Sequence, residues 1–354
     1  MKNVIKKIAS IALAFTLLGT GTSVTKTISP DSNNTIAASK IKSVGIGKQI
    51  GQVGNEGRVV QGMGMYNNTF YFITEKNDSN CKLFRMDINE KKAHEIGLSK
   101  SDRQLIAHGN DLCVAKCNGK ICLFVVNGEK KNSDLLLMFE LDSKQENAAL
   151  VEQYKFNHTL SAVTLVNPDG NKPLEFIFRC GKDIYSAKIE RQMSKEKQDM
   201  RAYMKAYKKP VSRQATKIHT IYLNEEIQKE FDIYKNNKDK QPKSQGICYF
   251  NGLLIVPYTF GNLRKNYIQI YNMEEGFYLY PIDSFKSEKS NTKFEIESID
   301  YSNGNNWYYN TNENGYFRFY RNTSLGDEIN IIRDQLAQKK YYDEIYRDIM
   351  MSKR

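Results

Sequence analysis

Residues 108–126 read HGNDLCVAKCNGKICLFVV, and this stretch decides the fold. Asn118-Gly119 between two apolar and β-branched runs is the strongest short hairpin signal, because both turn residues must take positive φ, which Asn and Gly tolerate best. A two-residue turn there sets Ala115 opposite Cys122 and Cys117 opposite Lys120. Alternation along the strands then sends Cys113, Cys117 and Cys122 to one face with no two directly opposed. Diagonal neighbours stand roughly 7–8 Å apart, outside comfortable disulfide reach. The three cysteines read as small buried hydrophobes, with a disulfide or a metal site as alternatives.

Outward from this hairpin the same order recurs: a polar signature, a strand, a turn, an aromatic or β-branched strand, a turn, another strand. Gln61-Gly62 leads into MGMY and TFYFIT; Ser161-Ala162 into VTLV and LEFIF; Gln245-Gly246 into ICYF and LLIVPY; Glu297-Ser298 into IDY and WYYN. Counted from residues 61, 108, 161, 245 and 297, the spacings are 47, 53, 84 and 52 residues. Four strands with tight turns need about 50 residues, which is one blade of a β-propeller. The expectation is an all-β, five-bladed propeller over residues 41–325, with six blades as the alternative for the long spacing.

Residues 190–213 account for that long spacing. They hold strong helix formers with no Gly or Pro before Pro210, and predict a cationic helical insertion between blades three and four. Fourth, outer strands fall at 93–98, 149–155, 217–223 and 276–282. The fifth blade lacks one, and the N-terminal segment IKSVGIGKQI, residues 41–50, is expected to complete it, because a ring must cover its edge strands. The tail, 326–354, predicts an amphipathic helix packed on the ring through Ile331, Leu336, Tyr341, Ile345 and Ile349.

Forty per cent hydrophobic and 26 % charged residues exclude intrinsic disorder and a multi-span membrane protein. Residues 1–38 begin with a lysine-rich head, followed by a short apolar run and small polar residues, which reads as a secretory signal peptide. The expected product is a secreted, extracellular monomer, and export argues against a nucleic-acid partner despite a net charge of +12. Residues 190–217 carry nine Lys or Arg against three acids, half of that excess, and suggest peripheral contact with anionic wall polymer or acidic membrane.

In a propeller the segment preceding each innermost strand lies at the axis. The ligand-binding candidates are therefore Gln61, His108, Asn110, Asp111, Ser161, Gln245, Glu297 and Ser298, converging on one mouth of the central channel. The bland alternative is that they satisfy backbone groups at blade junctions, the glycines easing a sharp turn. No metal ligand set or cofactor motif stands out, although a structural cation in the channel stays compatible with the sequence. The aromatic runs 307–309 and 316–320 suit packing between blades better than stacking on sugar.

The ordered set Gln-Gly, His-Gly-Asn-Asp and Glu-x-Glu-Ser at blade spacing resembles the helveticin J family of secreted large bacteriocins and related bacterial five-bladed propellers. Gly109 stands where that pattern has Ala, and Ser298 where it has Gly. The resemblance implies an exported propeller acting at a bacterial surface. The residues themselves leave three readings: a module binding a surface glycan or anionic wall polymer; a glycan-acting hydrolase using Asp111 and Glu297, with His108 as a further proton-transfer group; or a structural, adhesin-like propeller.

Overall fold

The computed structural model describes residues 41–352, apart from 190–209 and short stretches at 55, 77–79, 91, 129–132, 169–171, 235, 237–242, 261–264, 276–277, 290–293 and 303–304. The expected signal peptide and the body of the cationic insertion lie outside the described residues.

Strands β1 (Lys42–Ser43) and β2 (Lys48–Gly54) come first in the chain. Blade one is β3 (Val59–Tyr66), β4 (Thr69–Glu75), β5 (Lys82–Asp87) and β6 (Ala93–Ile96). Helix α1 (Lys100–Ile106) leads to blade two: β7 (Asp111–Cys117), β8 (Lys120–Val126), β9 (Leu135–Leu141) and β10 (Ala148–Phe156). Blade three comprises β11 (Ala162–Leu165), β12 (Leu174–Cys180), β13 (Asp183–Ile189) and, after β14 (Val211–Arg213), β15 (Thr216–Ile221). Helix α2 (Glu225–Tyr234) precedes blade four: β16 (Cys248–Phe250), β17 (Leu253–Phe260), β18 (Lys265–Asn272) and, after β19 (Tyr278–Leu279), β20 (Pro281–Glu288). Blade five is β21 (Glu295–Ser302), β22 (Asn306–Glu313) and β23 (Tyr316–Asn322), followed by helix α3 (Thr323–Met351).

The protein is thus a five-bladed β-propeller with a C-terminal helix. Its innermost strands β3, β7, β11, β16 and β21 contact one another in turn, and β21 returns to β3. Closure comes from the N-terminal segment: β2 pairs antiparallel with β23, from Lys48 opposite Arg321 to Gly54 opposite Tyr316. The hairpin at Asn118-Gly119 has the predicted register, Ala115 opposite Cys122 and Cys117 opposite Lys120, with φ of 50° and 81° at the turn. Cys113, Cys117 and Cys122 all lie in the apolar layer between blades two and three.

Packing between blades is largely aromatic, as the sequence suggested for 307–309. Phe124 meets Phe176 edge-on at 5.0 Å between blades two and three. Phe250 meets Trp307 at 5.6 Å between blades four and five, and Phe72 meets Phe319 at 4.9 Å between one and five. Such contacts favour edge-to-face geometry because ring edges are positive and faces negative.

Four expectations change. Residues 211–213 are not helical: β14 adds a parallel strand to the outer edge of blade two. The segment 276–282 is split, since β19 pairs with β15 of blade three while β20 is the true fourth strand of blade four. Likewise β1 leaves the closing segment to pair with β20, so three blade edges are capped by short borrowed strands that hide their unpaired backbone groups. Helix α3 packs through Leu325, Ile329, Ile332 and, as expected, Leu336, whereas Ile331 and Tyr341 are 49 % and 60 % exposed. The face is set by the helix start: Asn322 accepts from the Leu325 backbone N–H at 2.9 Å, which phases the first turn onto Trp307 and Tyr309 beneath it. Helices α1 and α2 were not predicted; the run Ser99-Lys100-Ser101-Asp102, in which Ser99 Oγ accepts from the Asp102 N–H at 3.1 Å, was the capping signal for the first.

Candidate functional site

Each polar signature sits where its innermost strand begins, and two of them sit on irregularities. The pairing of β3 with β4 shifts between Val60 and Met63, placing Gln61 and Gly62 in the break. The pairing of β21 with β22 shifts between Ile296 and Ser298, placing Glu297 there. A bulge of this kind bends the strand and re-aims its side chain.

The glycines of the two Gln-Gly pairs serve close approach, not a sharp turn. A Cβ on Gly62 would stand 2.5 Å from the Asp111 carbonyl carbon and the Leu112 nitrogen, so blades one and two touch backbone to backbone. A Cβ on Gly246 would stand 2.9 Å from Ser298 Cα, and the Gly246 N–H donates to the Glu297 carbonyl at 2.8 Å. The signatures of blades one, two, four and five therefore meet at the axis.

Asp111 is the centre of that meeting and is 1 % exposed. Its Oδ1 accepts from its neighbour Leu112 N–H at 3.0 Å, and its Oδ2 accepts from Val163 N–H of blade three at 3.0 Å. Burial pushes its carboxyl well above the ordinary carboxylate range, against the pull of those bonds and of the Ser298 hydroxyl. Ser298, 1 % exposed, donates its backbone N–H to Asn310 Oδ1 at 2.8 Å, and Asn310 Nδ2 donates to the Gln61 carbonyl at 3.3 Å. Asn312 repeats the device one step along, exchanging bonds of 2.8 and 3.1 Å with the Val60 backbone while its Nδ2 also donates to Glu297 Oε1 at 2.5 Å. These two asparagines imitate a strand between blades five and one.

Blade three joins through Arg179, which the sequence reading missed. Ser161 N–H and Oγ both donate to the Arg179 carbonyl, at 2.8 and 2.7 Å. The Arg179 guanidinium reaches blade four, where it donates to Ser244 Oγ and, at 2.7 Å, to the Ser244 carbonyl beside Gln245. His108 and Asn110 lie further out. His108 Nδ1 is 3.5 Å from Glu75 Oε1, and the Asn110 side chain packs where a Gly128 Cβ would be. Around the rim, Lys289 and Arg318 both ion-pair with Glu313, and Lys243 lies 3.9 Å from Glu295. Among the described residues no group of three or more His, Cys, Asp or Glu side chains is placed to hold a metal ion.

The structure thus gathers Gln61, Asp111, Ser161, Glu297 and Ser298 into the inter-blade contacts, with Gln245 lying between Ser244 and Gly246, which make the contacts of blade four, and His108 and Asn110 at the edge. Asp111 and Glu297 are both nearly closed to solvent, at 1 % and 2 % exposure. Arg179, Asn310 and Asn312 carry no local sequence signal, since they sit at the far ends of second strands and matter only because the ring brings them back to the axis.

No known family's sequence profile matches the chain, and no curated protein matches its sequence. Solved structures of similar fold include a family 43 glycoside hydrolase of Xanthomonas citri complexed with xylose, 11 % identical over 78 % of this chain and 90 % of that one, with a TM-score of 0.46. A thermostable family 43 glycoside hydrolase is 10 % identical over 78 % and 91 % of the two chains, with a TM-score of 0.46. The Aleuria aurantia lectin, in complex with alpha-methyl-L-fucoside, is 8 % identical over 73 % and 72 %, with a TM-score of 0.36. At these identities the likeness is one of fold.

Proposed function

We propose that this is an exported recognition propeller that binds a bacterial surface glycan or anionic wall polymer at the mouth where the innermost strands begin. The observation that carries the reading is unused hydrogen-bonding capacity at that mouth: Gln61 Oε1 and Arg179 Nε are buried without a partner in the protein. Buried polar atoms are nearly always paired, so an acceptor and a charged donor left over beside a network this complete favour a polar ligand. Hydroxyl-rich sugars satisfy both, and the rim cations Lys243, Lys289 and Arg318 favour an anionic polymer. The cationic segment 190–213 adds contact to acidic envelopes, and the motif resemblance to the helveticin J propellers extends the role to antagonism of other bacteria.

A hydrolytic reading has one observation in its favour: burial holds Asp111 up, as a general acid requires, with Glu297 on the neighbouring signature. It ranks second because both carboxyls are closed off and already accept hydrogen bonds from the protein. A glycan and wall-fragment array, run beside a reducing-sugar assay, separates the two. The binding reading expects retained ligand, no product, and at least a tenfold loss of affinity in Gln61→Leu. Product formation abolished by Glu297→Gln would install the hydrolase instead, and absence of binding to any glycan or cell at physiological salt would leave a structural propeller.

A further inference from the structure

A cavity of about 180 Å³ opens at the opposite mouth, where the innermost strands end. Every blade contributes to its wall: Tyr66 from β3, Cys113 from β7, Thr164 from β11, Tyr249 from β16, and Asp300 and Tyr301 from β21. Among the described lining residues Asp300 is the only acidic or basic side chain. Its Oδ2 accepts from Met65 N–H at 2.7 Å, and its Oδ1 accepts from Tyr301 N–H at 2.8 Å and from the Cys248 thiol at 3.5 Å. A carboxylate offers about four acceptor positions, so Oδ2 keeps capacity for a further donor. Among the described ion pairs none involves Asp300, in a chain whose net charge is +12.

We propose that this cavity binds a small organic ammonium group, with Asp300 as its counter-charge and the tyrosines as its aromatic wall. A lone carboxylate in a low-dielectric recess is costly unless a cation joins it, and tyrosine faces attract the same cations through their quadrupole. The volume sets the size: an apolar cavity of about 150 Å³ holds one benzene, so this one takes a single ring or a trimethylammonium group and not an oligosaccharide. Thr164 Oγ1 accepts from Tyr249 N–H at 3.1 Å, leaving its hydroxyl proton for a ligand oxygen beside the ammonium. Burial raises Asp300 to about 6, so it is charged at neutral pH and neutral at pH 5. The groups facing it from neighbouring strands are Cys248 on β16 and Asp111 and Cys113 on β7; both thiols are pushed well above their usual range and stay neutral throughout.

The test is titration of the intact protein with choline and with glucosamine, each against its neutral isostere, 3,3-dimethylbutanol and glucose, by calorimetry or ligand-observed NMR. The amines should bind at least tenfold tighter than their isosteres, weaken at least fivefold from pH 7.5 to pH 5, and keep their affinity in Gln61→Leu, which alters only the other mouth. Choline alone binding would identify a quaternary headgroup; glucosamine alone, an amino sugar. Asp300→Asn should abolish the preference for cations. Since Asp300 also holds two backbone N–H groups, Tyr249→Leu serves as a second variant that leaves them untouched, with an expected threefold or greater loss. Equal binding of amine and isostere, full affinity in folded Asp300→Asn, or no binding of either amine at about 50 mM would each overturn the proposal.

Discussion

The Ser298 hydroxyl lies 3.3 Å from Asp111 Oδ1, linking the fifth blade to the second past the first blade that separates them. The same hydroxyl lies 3.1 Å from the Met63 carbonyl, and it carries one proton for the two acceptors. The hydroxyl proton is therefore shared between the Asp111 carboxyl and the Met63 carbonyl, and burial pushes Asp111 above the ordinary carboxylate range against that pull. One buried acid and one serine thereby tie blades one, two, three and five at the axis.

Close approach at the axis makes Gly62 irreplaceable. Gly62→Ala forces a Cβ to 2.5 Å from rigid backbone of Asp111 and Leu112, and should cost about 3 kcal/mol or prevent folding. Gly54→Ala is the control, because nothing lies within 4 Å of its added Cβ; its effect should stay within about 1 kcal/mol. Urea midpoints of the two variants check the pair.

Glu313 anchors blade five beneath the rim. Its side chain is fully buried, and its oxygens accept from Lys289 at 2.8 Å, Tyr320 at 2.6 Å, Thr311 at 2.8 Å and from Arg318. Burial pushes its carboxyl up, but these donors outweigh burial and hold it below the ordinary range. Glu313→Gln leaves two cations facing a neutral amide and should lose about 2 kcal/mol, less than a fully buried break because Lys289 and Arg318 reach water. Equilibrium unfolding at pH 7 measures it.

The pH profile of stability should have a maximum on the acid side of neutrality. Asp300, raised to about 6, and Asp111, raised well above its usual value, bind protons more tightly folded than unfolded; their contribution is complete below the unfolded carboxylate pKa and is lost as pH rises through the folded values. Glu313 is lowered, so its contribution is present above its unfolded pKa and is lost as pH falls through the folded one. Unfolding free energy should therefore rise from pH 8 to about pH 5 and fall below about pH 4, each group changing it by at most about 1.4 kcal/mol per pH unit. In Asp300→Asn the alkaline slope should flatten.

The buried face of helix α3 is open to a direct comparison. Ile329→Ala removes a fully buried side chain and should cost about 3 kcal/mol, whereas Ile331→Ala, 49 % exposed, should change stability by less than about 0.5 kcal/mol. Thermal melts of both variants suffice.

The blade count and the hairpin register at Asn118-Gly119 were legible in the amino-acid order, because they follow from turn chemistry, strand alternation and spacing within about 50 residues of chain, and the closing strand was legible because a ring of blades must cover its last edge. The face of α3 was not: its periodicity admitted several stripes, and the Asn322 cap together with Trp307 and Tyr309 selected one. The convergence of Gln61, Asp111, Glu297 and Ser298 was foreseen from their place before each innermost strand. Their burial was not, since it depends on Asn310, Asn312 and Arg179 arriving from other strands.

By itself, then, the sequence determined a closed ring of five sheets and which end of each inner strand would be polar, since local backbone preferences propagate along a chain. Only the tertiary structure decided which polar groups spend their hydrogen bonds holding blades together and which, like Gln61 and Arg179 at one mouth and Asp300 at the other, keep capacity for a ligand. That division depends on distances between residues more than a hundred positions apart, such as Asp111 and Ser298, which no local rule encodes.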